Sequence, residues 1–385
     1  MSYNGFFKRH RLFILSESTA AVLIALLLLW QASLVTALDS QKAAERWRAG
    51  DTRFAQLGAY FAQGSGMNET QVYSLRSAVD NELTQASITA ESKNSRLWYD
   101  AYCGFSTLSV SGSRGSANVA VTGVGGDFFR IHNLELESGY YFSDDDLTQD
   151  RILLDATAAW QLFGSYDVAG MEVKIGERPM IVAGVVAATE NQWETAAYGD
   201  TPRIYMDYTT LGEYQEIEIT CYEAVMPDPV TGFAKALLEK ALPVDETSRS
   251  VVENSSRYSF LTLFRLLKGL AESRNISVPV VYPWWENAAR VLEVQVAILQ
   301  LAWLALCVVP AAGLVVLAVR LWKGRRFHFA DIPDYYERAR ERFDEWRRAR
   351  KGKWPRTAKS DGQRRSLKLS LKRHKKEREH EKDPF

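Results

Sequence analysis

The chain has 385 residues, of which 46% are hydrophobic and 24% are charged, and its formal net charge is zero. These values are ordinary for a folded protein of two or three compact units, and by themselves they exclude few classes of protein. This charge is distributed unevenly along the chain: residues 1–17 carry +2, residues 36–290 carry −13 and residues 323–385 carry +11. The chain therefore has an acidic middle and basic ends.

Two uncharged runs, residues 18–38 and residues 294–319, separate these parts. A hydrocarbon core about 30 Å thick needs about 20 helical residues at about 1.5 Å each, so both runs predict a transmembrane helix. Basic residues precede the first run and follow the second. The positive-inside rule then places both termini, residues 1–17 and 323–385, in the cytoplasm and residues 39–290 outside it.

The first run also permits a second interpretation. A basic start, an apolar stretch and small residues at 35–37 describe a secretory signal peptide with a cleavage site. The run is longer than the apolar region of about 7–15 residues that such signals have, which favours a retained helix. At the second run, Trp284 and Trp285 lie outside and Trp322 lies at the inner end, where indole rings prefer the headgroup layer.

Apolar residues recur at roughly helical intervals from residue 38 to about residue 63, which predicts a helical stalk leaving the membrane. The glycines at 64 and 66 end it. Asn68 is then the expected N-cap of a second helix that runs to about Gln85, because Val72, Leu75 and Val79 follow at helical spacing.

Beyond residue 92 the pattern changes to short runs rich in Tyr, Val, Thr and Ile, separated by Gly and Ser, which predicts strands. The predicted strands are residues 97–102, 106–110, 118–124, 151–154, 172–175, 180–187, 203–207 and 216–225. Helices are predicted over residues 156–163, 231–242 and 258–273. The middle of the chain is thus predicted to be an α+β domain large enough for its own core.

After the second run, residues 331–351 predict a helix dense in Arg and Glu, and the remainder is basic with few apolar side chains. We expect a solvated, largely disordered tail that is attracted to anionic lipid. A docking segment for a cytoplasmic partner is the alternative. Because the tail is held at the membrane, nucleic-acid binding is not expected.

Residues that would carry catalysis are scarce. No G-x-x-x-x-G-K-[ST] phosphate loop occurs, so the chain is not expected to be its own ATPase. His132 is the only histidine between the two runs, and a surface or structural role is favoured over a hydrolytic triad. No H-E-x-x-H motif or paired-cysteine zinc spacing occurs. We therefore predict a protein that is not an enzyme, with no catalytic, cofactor-binding or metal-binding residues.

Two further features permit more than one interpretation. The three carboxylates at 144–146 could bind calcium, but calcium loops space their ligands by two, so a turn is favoured. Cys103 and Cys221 both fall between the predicted spans, where an oxidising environment would permit one disulfide. Two buried free thiols fit the sequence equally well.

Residues 121–147 contain a glycine turn, then Phe128 and Phe129, then L-E-S-G-Y-Y-F-S-D-D-D. This segment resembles the periplasmic core domain of MacB-type ABC transporter permeases. The resemblance continues in the same order through residues 153–164, 168–173 and 181–186, and weaker segments look like a Gram-positive subgroup. It implies an extracytoplasmic domain of paired βαβ-like units with a small β-rich insert, in which none of these residues is catalytic.

MacB-type permeases have four transmembrane helices, three of them after the outer domain, whereas two are predicted here. The resemblance therefore implies a reduced or accessory permease of the bacterial cell membrane. Its expected partners are an ABC ATPase, the lipid membrane and possibly further permease subunits or a second copy. The alternative is a membrane-anchored envelope sensor or scaffold that has no ATPase partner.

Overall fold

The computed structural model describes residues 3–47, 52–90, 95–143, 146, 148–272, 280–324, 336–337 and 340–347. The chain divides into two compact units, Met1–Ala311 and Ala312–Phe385. The helices are α1 (Tyr3–Val35), α2 (Ala43–Arg46), α3 (Glu69–Gln85), α4 (Phe128–His132), α5 (Ala156–Phe163), α6 (Gln192–Tyr198), α7 (Tyr208–Gly212), α8 (Phe233–Ala241), α9 (Phe260–Glu272), α10 (Trp284–Leu306) and α11 (Val308–Gly324).

The strands form one sheet. They are β1 (Phe54–Phe61), β2 (Tyr99–Ser111), β3 (Ser116–Gly126), β4 (Leu136–Gly139), β5 (Arg151–Asp155), β6 (Glu172–Ile175), β7 (Arg178–Val186), β8 (Arg203–Asp207), β9 (Cys221–Pro227) and β10 (Arg249–Glu253). Their order is β10-β1-β9-β2-β3-β8-β5-β7-β4, and β6 pairs with β2 and β7. The pairs β3–β8 and β5–β7 are parallel, and the other pairs are antiparallel.

Two strand–helix–strand units organise this sheet. In the first, β1 and β2 both run antiparallel to β9, which lies between them, so they are parallel to each other and are joined through α3. In the second, the parallel neighbours β5 and β7 are joined through α5, with β6 folded in between. Both are βαβ units, the first split by an inserted strand. The predicted mixed α and β domain with βαβ-like units is confirmed.

The helical stalk predicted over residues 38–63 is wrong. A short turn at Asp39–Gln41 and the four-residue helix α2 follow α1, and the chain then enters the sheet as β1. Both faces of β1 are covered: Tyr60 packs in one core, and the other face packs in a second core through Ala55, Leu57, Ala59 and Phe61. A strand buried on both sides shows no polar alternation, so its apolar residues fitted helical spacing as well.

The helix predicted after Asn68 is confirmed with its bounds. The Asn68 side chain accepts a hydrogen bond from the Gln71 backbone nitrogen at 3.0 Å, and the Gln71 side chain accepts one from the Asn68 nitrogen at 3.0 Å. This reciprocal capping box satisfies two donors that a helix start leaves free. Helices α3 and α8 pack on one side of β1 and β9, opposite the side that α2, α4 and the start of α10 cover.

The other differences are short elements, one merged strand and the start of β9, which lies at Cys221 rather than at residue 216. Helices α4, α6 and α7 and strands β4 and β10 are each seven residues or fewer and were not predicted. Residues 97–102 and 106–110, predicted as two strands, lie in the single strand β2. Gly104 lies within this strand, where the Glu218 backbone approaches closely. A Cβ at this position would lie 2.6 Å from the Glu218 carbonyl oxygen, so only glycine permits the approach.

Cys103 and Cys221 are directly opposed in the pairing of β2 with β9. Both are buried and both are free thiols in this structure. Burial raises the pKa of each thiol above its ordinary value. Of the two interpretations that the sequence permits, the structure has the pair of buried thiols.

Two helical stretches, Phe13–Val35 and Trp284–Arg320, are long and apolar enough to cross a membrane by length and composition. Their large apolar side chains are mostly uncovered by protein, as at Leu29, Leu314 and Val315. Such continuous apolar exposure is typical of lipid-facing helices. Of the predicted helix at 331–351, residues 336–337 and 340–347 are helical, and the tail beyond residue 347 lies outside the described residues.

Candidate functional site: the membrane-proximal junction

The two apolar helices enter the α/β domain side by side. We call this region the membrane-proximal junction: the end of α1 with the turn Asp39–Gln41, the helix α6, Arg257, Leu263 of α9 and the first four turns of α10. Its apolar centre is formed by Leu34, Leu38, Leu263, Ala289, Leu292, Val296 and Ala297. The side chains of this cluster come from α1, the segment just after it, α9 and α10, so the cluster joins both apolar helices to the domain.

Helix α6 bridges the two apolar helices through hydrogen bonds. The Asn191 side chain, at the N-cap of α6, donates to the Ala37 carbonyl oxygen at 2.8 Å. The Trp193 indole nitrogen donates to the Gln295 side-chain oxygen at 2.7 Å. One short helix therefore contacts the chain just after α1 and the fourth turn of α10.

Strand β1 holds the segment after α1 through Gln56, which is fully buried. The Gln56 amide nitrogen donates to the Ser40 carbonyl oxygen at 2.7 Å, and its side-chain oxygen accepts from the Ala43 backbone nitrogen at 2.9 Å. A buried amide that is satisfied on both sides fixes its neighbours in one arrangement. The segment that follows α1 is therefore tied to β1, the second strand from one edge of the sheet.

A buried ion network ties α10 to the same sheet. The Arg257 guanidinium, 2% exposed, donates two parallel hydrogen bonds to the carboxylate of Glu286, which is 0% exposed; the bond from Nη1 is 2.9 Å long. Glu286 also accepts from Arg290 Nε at 2.8 Å and from the Tyr60 hydroxyl at 3.3 Å. Arg257 Nε reaches Glu293 at 3.1 Å. Each carboxylate and guanidinium in the network has a charged partner.

The network joins four segments of the chain. Glu286 and Arg290 belong to α10, Tyr60 to β1, and Arg257 follows the turn Asn254–Ser256 after β10. Arg257 Nη1 also donates to the Gln41 side-chain oxygen at 3.1 Å, which adds the segment after α1. Burial would lower the pKa of Arg257, but the adjacent Glu286 and Glu293 carboxylates outweigh it and raise that pKa. The guanidinium therefore stays charged and bound.

His132 is buried, with 2% of its surface exposed, so a surface role, one of the two that the sequence favours, is wrong. Its Nε2 lies 2.5 Å from a carboxylate oxygen of Glu223, and the rings of Phe128 and Trp285 flank it at 4.3 and 4.5 Å. The partner of His132 is thus a carboxylate rather than a serine or cysteine nucleophile. The arrangement is that of a positioned, buried imidazole.

The remaining candidates from the sequence do not meet at one site. Ser143 and Asp146 form a turn, in which the Ser143 nitrogen donates to an Asp146 carboxylate oxygen at 3.2 Å, whereas Asp144 and Asp145 lie outside the described residues. The glycines at 123–126 are the end of β3 rather than a separate turn, and the short helix α4 follows them. Within the described ranges, no group of three His, Cys, Asp or Glu side chains could hold a metal ion.

Sequence reasoning missed the ion network. Glu286 and Arg290 stand four residues apart in a helix that begins beside two tryptophans, a spacing that puts both charges on one face. That spacing could have predicted the ion pair within α10, but not its partners elsewhere in the chain. The partner, Arg257, lies 29 residues before Glu286 and carries no local sign of burial.

Known proteins with similar sequences identify the family to which this domain is related. The family described as MacB-like periplasmic core domain matches residues 21–236, more than half of the chain. The macrolide export ATP-binding/permease protein MacB of Agrobacterium fabrum is 31% identical over 153 residues, covering 38% of this chain and 22% of that protein. The protein of the same name from Chromobacterium violaceum is 36% identical over 95 residues, covering 24% of this chain and 14% of that protein.

Solved structures with similarity include the periplasmic region of MacB from Actinobacillus actinomycetemcomitans, with a TM-score of 0.39, 16% identity and coverage of 57% of this chain and 94% of that one. The extracellular domain of the ABC-type transporter YknZ from Gram-positive bacteria has a TM-score of 0.36, 13% identity and coverage of 51% and 99%. The chain spans less than a quarter of the length of the two curated relatives. By the match over residues 21–236, the chain belongs to the MacB-like periplasmic core domain family.

Proposed function

We propose that the chain is a non-catalytic, permease-like or accessory subunit of an ABC-type transporter assembly, with ATP hydrolysis supplied by a separate subunit. Family membership makes it a transporter component. The relatives' name joins an ATP-binding and a permease function, and this sequence carries no phosphate loop. A partner with an ABC ATPase domain would supply what this sequence lacks.

The proposed topology has residues 18–38 and 294–319 crossing the membrane, residues 39–290 outside, and residues 1–17 and 323–385 in the cytoplasm. The basic flanks of both runs and the exposed apolar faces of the two helices support it. Helix α10 begins at Trp284, about three turns before residue 294, so one continuous helix passes from the domain into the membrane.

The single observation that carries the proposal is the buried network on those first turns of α10. Glu286 is held by Arg257 and Tyr60, so α10 cannot shift or rotate without moving the sheet or breaking buried charge pairs. Breaking such pairs costs several kcal/mol, and a concerted displacement is cheaper. We infer that α10 relays displacement between a motor in the membrane assembly and the outer domain, where substrate or partner proteins bind.

The test is purification of the full chain in mild detergent, with identification of the proteins that accompany it. We expect an ABC ATPase subunit to co-purify, and its recovery to be lost when residues 331–385 are removed. An unrelated membrane protein of similar abundance, tagged in the same way, is the control for detergent carry-over.

Recovery of the chain without any ATPase would contradict the proposal and favour the envelope sensor or scaffold. Undiminished recovery of an ATPase after removal of residues 331–385 would show that the ATPase binds another part of the chain. Because the two outcomes differ, the partnership and the contact segment are tested separately.

A further inference from the structure

Helix α9 carries apolar side chains on both sides of its first turns. On the inner side, Leu263 is fully buried in the apolar centre of the junction. On the outer side, Phe260, Leu261 and Phe264 are 49%, 64% and 52% exposed. A helix that is hydrophobic all round is normally covered all round, so the outer side requires an apolar environment of its own.

The start of α9 lies beside the part of α10 that is proposed to cross the membrane. The Gln300 side-chain nitrogen donates to the Phe260 carbonyl oxygen at 3.1 Å, and the ring centroids of Phe260 and Trp303 lie 6.2 Å apart. The predicted span begins at residue 294, so Gln300 and Trp303 lie about 9 and 14 Å further along the helix. The start of α9 is therefore at the depth of the lipid acyl chains.

Helix α9 does not itself cross the bilayer. Its 13 residues span about 20 Å, whereas the hydrocarbon core is about 30 Å thick. Before the helix, Arg257 is held in the buried ion network by Glu286. After it, Val280 forms an antiparallel bridge with Ala62, just beyond β1. Both ends of the segment are thus held by the α/β domain, so α9 enters and leaves the membrane on the same side.

The charges of α9 fit a position at the membrane surface. Arg265 and Lys268 are exposed, and they are the only charged residues of the helix before Glu272. They stand four residues after Leu261 and Phe264, so the exposed apolar and basic side chains share one face. Basic residues beside Phe and Leu are typical of helices that lie in the interface, because the cations reach the phosphate groups while the apolar side chains enter the acyl region.

We propose that α9 is an interfacial helix that inserts Phe260, Leu261 and Phe264 among the phospholipids of the outer leaflet and places Arg265 and Lys268 at their phosphate groups. The inference rests on the proposed crossing of α10 but not on an ATPase partner. Because the opposite side of α9 packs in the junction, the lipid contact anchors the α/β domain at the membrane through a third segment besides α1 and α10.

The test measures lipid contact at single positions of the full chain in phosphatidylcholine nanodiscs, by quenching of an NBD fluorophore with nitroxide-labelled lipid. The fluorophore is attached at Phe264→Cys or at Trp160→Cys, each combined with Cys307→Ala, because the other two cysteines are buried. Trp160 is the matched control: it is also 52% exposed, but α5 packs on the opposite face of the sheet from the start of α10. We expect at least about half of the fluorescence to be quenched at position 264 and no measurable quenching at position 160.

Leu301→Cys, an exposed position within the proposed span of α10, separates this inference from the proposed topology. Quenching at position 301 with none at position 264 would overturn the interfacial helix alone, and no quenching at either position would overturn the proposed crossing as well. If Phe264→Cys does not fold, Leu261→Cys replaces it and should be quenched to the same extent. Unquenched fluorescence at position 261 would overturn the proposal.

A protein partner is the competing occupant of this face, and photo-crosslinking in native membranes decides between the two. Benzoylphenylalanine in place of Phe264 should form adducts with phospholipid on irradiation, whereas in place of Trp160 it should form none. A protein adduct at position 264, with a second copy of the chain or with another subunit, would overturn the proposal.

Discussion

Arg257→Ala is expected to lower the free energy of unfolding of the α/β domain by about 3–5 kcal/mol, because it leaves buried carboxylates without their cation. Glu286 is fully buried and receives two hydrogen bonds from Arg257, and Glu293 receives a third. Arg290 remains beside Glu286 but is itself partly exposed and offers one bond. Urea denaturation of the full chain in detergent, followed by circular dichroism, measures the loss.

Two variants separate the buried charge from a general effect of losing an arginine. Arg178 pairs with Glu213 at the surface, so Arg178→Ala should cost less than about 1 kcal/mol. The double replacement Arg257→Met with Glu286→Met removes both charges and should be more stable than Arg257→Ala, because no carboxylate is left unpaired at position 286. A loss below about 1 kcal/mol for Arg257→Ala would show that the network does not hold the junction.

Gly139→Ala is expected to destabilise the domain by about 3 kcal/mol or more, from strain and overpacking together. Gly139 ends β4 with φ of +82°, a left-handed conformation that alanine adopts only with strain. A Cβ there would lie 2.1 Å from the Ala183 carbonyl oxygen and 2.5 Å from Gly184 Cα, both of them backbone atoms of β7. Strand β4 would have to separate from β7, and thermal unfolding of the full chain reports the cost.

The chain supplies a matched control for this substitution. Gly170 has nearly the same φ, +83°, but nothing lies within 4 Å of a Cβ built there. Gly170→Ala should therefore cost only the backbone strain, about 1–2 kcal/mol. The difference between the variants isolates the contact with β7. Equal losses would mean that β4 shifts freely and that its close approach to β7 is not a structural requirement.

Elements with strong local signals were predictable from the sequence. The start of α3 is encoded by Asn68 and Gln71, which cap each other across one turn. The bounds of α5 are encoded by Asp155, whose carboxylate caps the first turn, and by Gly164, which takes the left-handed conformation after the last residue. Each of these signals involves residues fewer than five positions apart, so no knowledge of the tertiary fold is needed.

The junction could not be predicted because its contacts are non-local. Glu286 meets Tyr60 across 226 residues, and Gln41 meets Arg257 across 216. Which residues meet depends on β1 lying between β9 and β10, an order that no local pattern contains. The helical stalk was wrongly predicted at β1 for a related reason. Tertiary contacts bury both faces of this strand, so its sequence lacks the alternation of a half-exposed strand.

Hydrogen exchange in the proposed assembly with an ABC ATPase tests most directly whether ATP hydrolysis changes the structure of the junction. The assembly is compared without nucleotide and after its ATPase is trapped with Mg-ATP and vanadate. We expect altered amide exchange in α6, around Arg257 and in the first four turns of α10, with α5 unchanged as the internal control. Identical exchange of the junction in both states would contradict a relay through α10.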